Sequence, residues 1–433
     1  MVSSTKKQNQ SSYFWTVFIS ILLVVISYKR PEHKLDLDRV EQMVSDYMKK
    51  TPYGKQLLKK QTKTQRYKYP SEEKWNSHPL TGVKIVITGA TSGIGLSITK
   101  NVHGLGATVI AVGRSSHKLK RLQTQLEKNN EKENKGANDS RLIPIIADLS
   151  DLNSVSNAAN EISKQVKSID ILVNNAGMHY NLNVMNPFAA TLSTKQGHDL
   201  LFGVNYLSHF LLTAKMLPLL DKSKLTPRIV QISSIYHWMV DGSDLIAGEN
   251  NTDIDLPIAS QSNKQSFTQK NRSYANSKLA QIYHARALAR RLKKEKSSIS
   301  VVSICPSWVK TNIGGAGMKY LDYMGAFDVE EVGISSSLNG MFLSNIGGEG
   351  ADFISQTEVN LDIFPQKPDW LVKFLKWLNI KDHVSLLAGM IILYFQRFFF
   401  KEIAIADSSI ESYDVDKQES LYKWSVREIS PWL

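Results

Sequence analysis

A glycine-rich turn between a strand and a helix restricts this chain more than any other feature. Val83 to Thr88 (VKIVIT) is short, apolar and β-branched, the composition of a strand. Gly89-Ala90-Thr91-Ser92-Gly93-Ile94-Gly95 comes next, and Leu96 to His103 then reads as helix. Strand, glycine turn and helix in this order aim a helix N-terminus at a pyrophosphate. Gly89 permits the tight turn, Gly93 lets backbone approach the phosphates, and Gly95 lets helix and strand pack closely; Thr91, Ser92 and Ile94 complete the turn. An ordinary βα connection can carry the same glycines, so the reading depends on the rest of the chain.

Beyond the turn, strands and helices continue to alternate, the pattern of an α/β fold with a Rossmann-type, doubly wound parallel sheet. Ala107 to Val112 is a second strand, ending in Gly113-Arg114. Enzymes that prefer NAD place an acid at this strand end to hold the ribose hydroxyls. Here Arg114 stands there, with Lys118 one helical turn beyond. Cations suit a 2′-phosphate, so NADP(H) is the expected cofactor. Residues 127–141 read as a solvated loop. Ile143 to Ala147 is a third strand, ending at Asp148-Leu149. Ile169 to Val173 is a fourth, ending at Asn174-Asn175-Ala176-Gly177. Arg228 to Ile232 ends at Ser233-Ser234, and Ser300 to Cys305 (SVVSIC) ends at the lone cysteine, which reads as core.

Tyr274-Ala275-Asn276-Ser277-Lys278 sets Tyr and Lys four residues apart, one above the other on a helix. A free phenol titrates near about 10, too high for efficient proton exchange at neutral pH. An ammonium one turn away, with the positive nicotinamide ring, favours the phenolate and lowers that value.

In the order and spacing of these motifs the sequence closely resembles the short-chain dehydrogenase/reductase family, over roughly residues 80–315. Thr194 to Thr213 (TKQGHDLLFGVNYLSHFLLT) resembles the branch that holds retinol dehydrogenases and WW-domain oxidoreductases. Ser208 replaces its usual glycine, and His209 reads as structural. The resemblance implies that Tyr274 is the acid/base and that Lys278 tunes it and holds the nicotinamide ribose. It implies that Ser234 holds the substrate carbonyl, with Ser233 as the alternative, and that Asn205 holds a water in the proton relay. Asp148, Leu149, Asn175, Ala176 and Gly177 are then expected along the cofactor. Pro306, Val309 and Thr311 are expected beside the nicotinamide, with Ser307 where glycine is usual. Ser420 to Ser425 is similar to the Leu-Trp-x-x-Ser end of the branch. A helix-to-helix homodimer is common in the family.

Tyr13 to Tyr28 is an almost unbroken apolar run between Lys6-Lys7 and Lys29-Arg30. As a helix it spans about 24 Å, slightly short for a hydrocarbon core of about 30 Å. Aromatics at both ends suit the interfacial belts, and no small-residue cleavage site comes after it. It reads as an uncleaved anchor, either spanning or monotopic. The cationic flank after it places the bulk of the chain in the cytosol. Residues 1–80 carry +8 of the total charge of +13, beside the apolar run. That distribution suits an anionic membrane surface and gives no nucleic-acid groove. One cysteine excludes a disulfide framework and any multi-cysteine metal site; no metal is expected.

The expected organisation is an anchor over 1–30, a basic amphipathic connector over 31–80, and a catalytic domain over 81–433. Val40, Met43, Val44, Tyr47 and Met48 set one helix in the connector, lying on the membrane, on the domain, or in solvent. Two insertions are expected, at about 242–272 and 360–405. Gly242 to Arg272 is polar and reads as a surface loop; Pro368 to Lys401 is apolar and basic, an interfacial or re-entrant C-terminal insertion. The expected protein is a membrane-bound NADP(H)-dependent oxidoreductase of lipophilic carbonyls or alcohols (sterol, retinoid, polyisoprenoid or fatty-acyl), at the endoplasmic reticulum or lipid droplet. The alternative is a nucleotide-binding membrane scaffold without turnover.

Overall fold

The computed structural model describes residues 37–60, 67–68, 74–75, 78–132, 141–179, 193–246, 267–306, 309, 311, 313, 333–344, 346, 351–355, 404–406 and 408–433. The apolar run at 13–28 and the apolar segment at 368–401 lie outside them.

Among the described residues, eight strands form the main sheet: β1 (Lys84–Thr88), β2 (Thr108–Gly113), β3 (Leu142–Ile146), β4 (Ile171–Asn174), β5 (Arg228–Ile232), β6 (Ser300–Cys305), β7 (Phe353–Ser355) and β8 (Ala404–Ala406). Their order is β8-β7-β6-β5-β4-β1-β2-β3. Every pair from β3 to β7 is parallel; β8 joins the edge antiparallel, with Ala404 opposite Ser355 and Ala406 opposite Phe353. The strand order reverses between β1 and β4, so the crevice outside their carboxyl ends is the natural ligand site of the sheet. Tyr67–Lys68 and Lys74–Trp75 form a separate two-stranded pair.

Parallel strands covered on both faces read as apolar runs, and side chains still alternate between the two sides. Val86, Ile110, Leu172, Ile229 and Val301 face one core, with α5 (Leu152–Gln165), α6 (Leu200–Leu220), α7 (Phe267–Lys294) and α9 (Val415–Ile429). Ile85, Ile87, Val109, Ile171 and Val230 face the other, with α1 (Leu37–Lys49), α3 (Gly93–Gly104), α4 (Ser116–Lys132) and α8 (Ser335–Phe342). A short α2 (Pro52–Lys60) comes directly after α1.

The connector helix α1 lies on the domain. Val40, Met43, Val44, Tyr47 and Met48 are buried in the second core. The Tyr47 hydroxyl donates to Thr226 O at 2.8 Å, and its ring meets Phe342 edge-on at 5.7 Å. Buried Arg228 stacks 5.8 Å from the same ring and donates to Gly340 O and Leu343 O at 3.2 and 3.0 Å. The apolar face of the connector thus extends the domain core.

Two boundaries differ from expectation. The solvated loop expected at 127–141 starts later, because α4 continues to Lys132 with Leu119, Leu122 and Leu126 packed inward. The loop expected at 242–272 is shorter at both ends. Ser243–Leu245 forms a 3₁₀ turn, and α7 already begins at Phe267. Asp244 binds the Arg272 guanidinium and accepts from Asn276 Nδ2 at 2.6 Å, which ties the turn to the start of α7. α6 is long and apolar enough to cross a membrane, yet it is a buried core helix.

Candidate active site

The site is built where the carboxyl ends of β1, β4 and β5 meet α6 and α7. Gly89 turns the chain with φ +68°, and a Cβ there would sit 3.0 Å from Ala176 Cα. A Cβ on Gly95 would collide with Gly89 O, so the first turn of α3 packs directly on the loop. Ser92 precedes α3 in extended conformation, and its hydroxyl takes none of the helix's first amides. Those amides are therefore available to an anion at the helix N-terminus.

The loop after β4 locks onto this turn. Thr88 Oγ1 accepts from Asn175 N and Ala176 N, both at 2.9 Å, and Asn175 Nδ2 donates to Thr88 O at 2.7 Å. Thr311 lies close to Gly93, 3.5 Å from where a Cβ would sit, and Val309 and Pro306 are buried. At the β2 end, a Cβ on Gly113 would sit 3.4 Å from Thr91 Cγ2, which places Arg114 beside the turn. Arg114 and Lys118 are both exposed. After β3, Asp148 Oδ1 accepts from Ser150 N and Ser150 Oγ at 3.0 and 2.7 Å; Leu149 is half-buried next to it. The glycines and open amides fit a nicotinamide dinucleotide.

Asn205 sits in a π turn, Gly203–Leu207, inside α6. Such turns occur mostly at functional sites. Its Oδ1 accepts from Met178 N at 2.8 Å, and its Nδ2 donates to Met178 O and Ser277 Oγ, each at 3.0 Å. This joins α6 to the loop after β4 and to α7. His209 makes a second brace, with Nε2 at 2.9 Å from Thr88 Oγ1 and Nδ1 at 2.9 Å from Asn205 O. Burial pulls its imidazole down to about 4, so it is neutral.

Tyr274 and Lys278 lie on α7, both buried. Lys278 Nζ is 5.6 Å from the Tyr274 ring centroid and donates to Ile232 O and Gln281 Oε1 at 2.9 and 3.0 Å. A Cβ on Gly177 would be 3.5 Å from both Lys278 Nζ and Asn205 Oδ1, so the three meet at one point. The two serines after β5 separate by their partners. Ser233 is buried and its hydroxyl donates to Lys278 O at 2.8 Å. Ser234 is half-buried, accepts from Tyr236 N, and its hydroxyl opposes the upward pull of burial on the Tyr274 phenol.

Burial dominates the ionisation of the pair. It pushes the Tyr274 phenol above its usual range, against the opposing pull of the Ser234 hydrogen bond. It draws the Lys278 ammonium down to about 7. The lowered phenol expected from the ammonium together with the nicotinamide ring is not seen in the chain by itself, where desolvation is the largest influence.

Three pocket residues escape a reading of the sequence. The His179 ring meets Tyr274 edge-on at 4.3 Å, and Tyr236 meets it at 5.2 Å. Met178 and Tyr236 pack on Leu201 and Tyr274 to form an apolar wall. Met178-His179 come directly after Gly177, and Tyr236 is two residues past Ser234, so adjacency to the motifs is their available signal. Asp199 escapes as well. Its buried Oδ1 accepts from Phe202 N at 2.9 Å and Ser273 Oγ at 2.5 Å, tying the start of α6 to the residue before Tyr274. Burial raises its pKa.

Residues 83–240 match the short chain dehydrogenase family profile. A short-chain dehydrogenase/reductase of Armillaria gallica is 32% identical over 252 residues, 57% of this chain and 72% of that protein. The chain therefore belongs to the short-chain dehydrogenase/reductase family of oxidoreductases. Retinol dehydrogenase 14 of Mus musculus is 35% identical over 238 residues, and that of Homo sapiens 34% over 240. Each match covers 54% of this chain and 63% of the retinol dehydrogenase. The chain thus spans a little under two thirds of the length of these relatives. A structure of an uncharacterised Mycobacterium paratuberculosis protein superposes with a TM-score of 0.51 at 21% identity, covering 81% of this chain and 94% of that one. It shares the fold.

Proposed function

We propose that the protein is a membrane-bound, NADP(H)-dependent oxidoreductase that interconverts carbonyl and alcohol on a lipophilic substrate. The observation that carries this reading is the convergence of Lys278 and Asn205 on Gly177 with the Tyr274 ring 5.6 Å from Lys278 Nζ, beside the glycine-turn crevice.

Bound on that turn, the nicotinamide supplies the hydride. Arg114 and Lys118 would hold the 2′-phosphate, and the amides of Gly93, Ile94 and Gly95 would hold the pyrophosphate. Ser234 Oγ and the Tyr274 hydroxyl both reach the substrate oxygen, so one donates while the other transfers the proton. In reduction Tyr274 gives its proton to that oxygen. Lys278 and Asn205 then return a proton to it from the interior side. Met178, Leu201 and Tyr236 exclude water from the reacting carbonyl and suit an apolar substrate. The names of the retinol dehydrogenase relatives support that class, and the apolar run at 13–28 supports membrane attachment on the cytosolic side, at the endoplasmic reticulum or lipid droplet.

The test is titration of the detergent-purified chain with NADPH and NADH, then turnover of all-trans-retinal. NADPH should bind tighter, and Arg114→Asp should weaken it about tenfold or more, the value of one charged contact to phosphate. Tyr274→Phe should keep nucleotide binding and lose on the order of 10²- to 10⁴-fold in turnover. Equal affinity for both nucleotides in wild type and Arg114→Asp would overturn the cofactor assignment. Undiminished cellular function of Tyr274→Phe would favour a scaffold.

A further inference from the structure

The loop that carries Ser234 is held by a part of the chain far from the family motifs. His237 lies in the short turn after Ser234 and is fully buried. Its Nδ1 lies 2.6 Å from Ser234 O, and Ser409 N donates to its Nε2 at 3.0 Å. An amide can only donate, so Nε2 carries no proton and Nδ1–H is the donor to Ser234 O. Burial pulls this imidazole down to about 4, which keeps that tautomer neutral at physiological pH. Ser409 belongs to a strap, residues 408–413, that lies along the catalytic helix. Arg286 Nη2 donates to Ser408 Oγ at 2.9 Å and its guanidinium stacks 3.8 Å over the Tyr413 ring. The Tyr283 hydroxyl donates to Glu411 O at 3.1 Å. Arg286 and Tyr283 stand on α7, the helix of Tyr274 and Lys278.

We infer that His237 is a positioning residue that makes the seating of the 408–413 strap a condition for the placement of Ser234. The imidazole is a rigid two-ended link. At one end it fixes the carbonyl of the residue whose hydroxyl meets Tyr274; at the other it reads whether the strap is in place. The strap comes just after β8 in the chain. The inference rests on the oxidoreductase reading for its catalytic consequence and on the geometry alone for the coupling.

Two substitutions open the link from opposite ends. His237→Phe removes both hydrogen bonds and keeps the ring. Ser409→Pro removes the donated N–H and replaces the small buried side chain with a ring, at a residue whose φ of −53° already suits proline. In Ser409→Pro, amide exchange over residues 233–239 should speed up although that segment is unaltered. With all-trans-retinal and NADPH, each variant should lose on the order of tenfold in kcat with an unchanged Kd for NADPH. The double variant should be no worse than the poorer single, because both break one link. Unchanged exchange over 233–239 in folded Ser409→Pro overturns the coupling, and so do fully additive losses. Faster exchange with unaltered kcat overturns the positioning role. A wild-type chain that binds nucleotide and reduces no carbonyl counts against the oxidoreductase reading instead, and the exchange arm then decides the coupling by itself.

Discussion

On the β1–β3 side of the crevice, the groups that would face a nucleotide are backbone amides, glycines and two exposed cations. On the β4–β6 side they are buried polar side chains joined across long stretches of chain. The first side works by leaving space. A side chain at Gly89 or Gly95 would strike the Asn175-Ala176 loop or the turn itself. The second side works by filling space. Asn205, Ser233, Ser277, Lys278 and Asp199 are buried, and each has a named hydrogen-bond partner. Space is set by short-range sequence, whereas a filled polar network needs partners from several elements at once.

The comparison can be broken at either side. Gly95→Ala drives a Cβ into the backbone of Gly89 and should cost about 3 kcal/mol in urea unfolding, along with nucleotide affinity. If the variant unfolds as wild type does, the tight-packing account of the turn is wrong. Lys278→Met removes a desolvated charge on the filled side. Its ammonium is drawn down to about 7 in the fold from 10.5, so between those values the unfolded chain binds more protons and stability rises with pH. Below about 7 the penalty is fully present. The variant's stability advantage should therefore be largest below pH 7 and shrink by up to about 1.4 kcal/mol per unit above it. A pH-independent difference would mean that Lys278 titrates in the fold as it does in water. Asp199→Ala removes a cap from α6 and the acceptor of Ser273, and should cost about 1 kcal/mol by thermal unfolding. A neutral result would show that α6 and α7 are held together without it.

The same contrast governs how much of the molecule is legible in its sequence. Six of the eight described sheet strands, the glycine turn and the Tyr274–Lys278 pair lie within short windows whose spacing carries their geometry. Asn205 is legible only through the family resemblance, and the edge strands at 353–355 and 404–406 do not lie in such windows. The choice between Ser233 and Ser234 does not either, because it depends on Lys278 O, 45 residues away, which occupies Ser233. The π turn at Asn205 leaves no periodic signal, since it shifts one turn inside an apolar helix. The raised phenol of Tyr274 reflects burial by His179, Tyr236 and Leu201, which approach from three different loops and helices. The seat of α1 likewise depends on Thr226 and Phe342, far along the chain.

The edge pairing of β7 and β8 has a consequence for how the chain can be edited. Ser355 and Ala404 face each other in an antiparallel pair, so their Cα atoms are about 5 Å apart. The two ends of the connection between them therefore lie side by side at one sheet edge. Joining 355 to 404 through a two-residue Asn-Gly turn would preserve the ladder and yield a chain free of the apolar residues 368–401. The connection is equally free to change length over generations. Doubling its length alters the closure entropy by only about 0.6 kcal/mol.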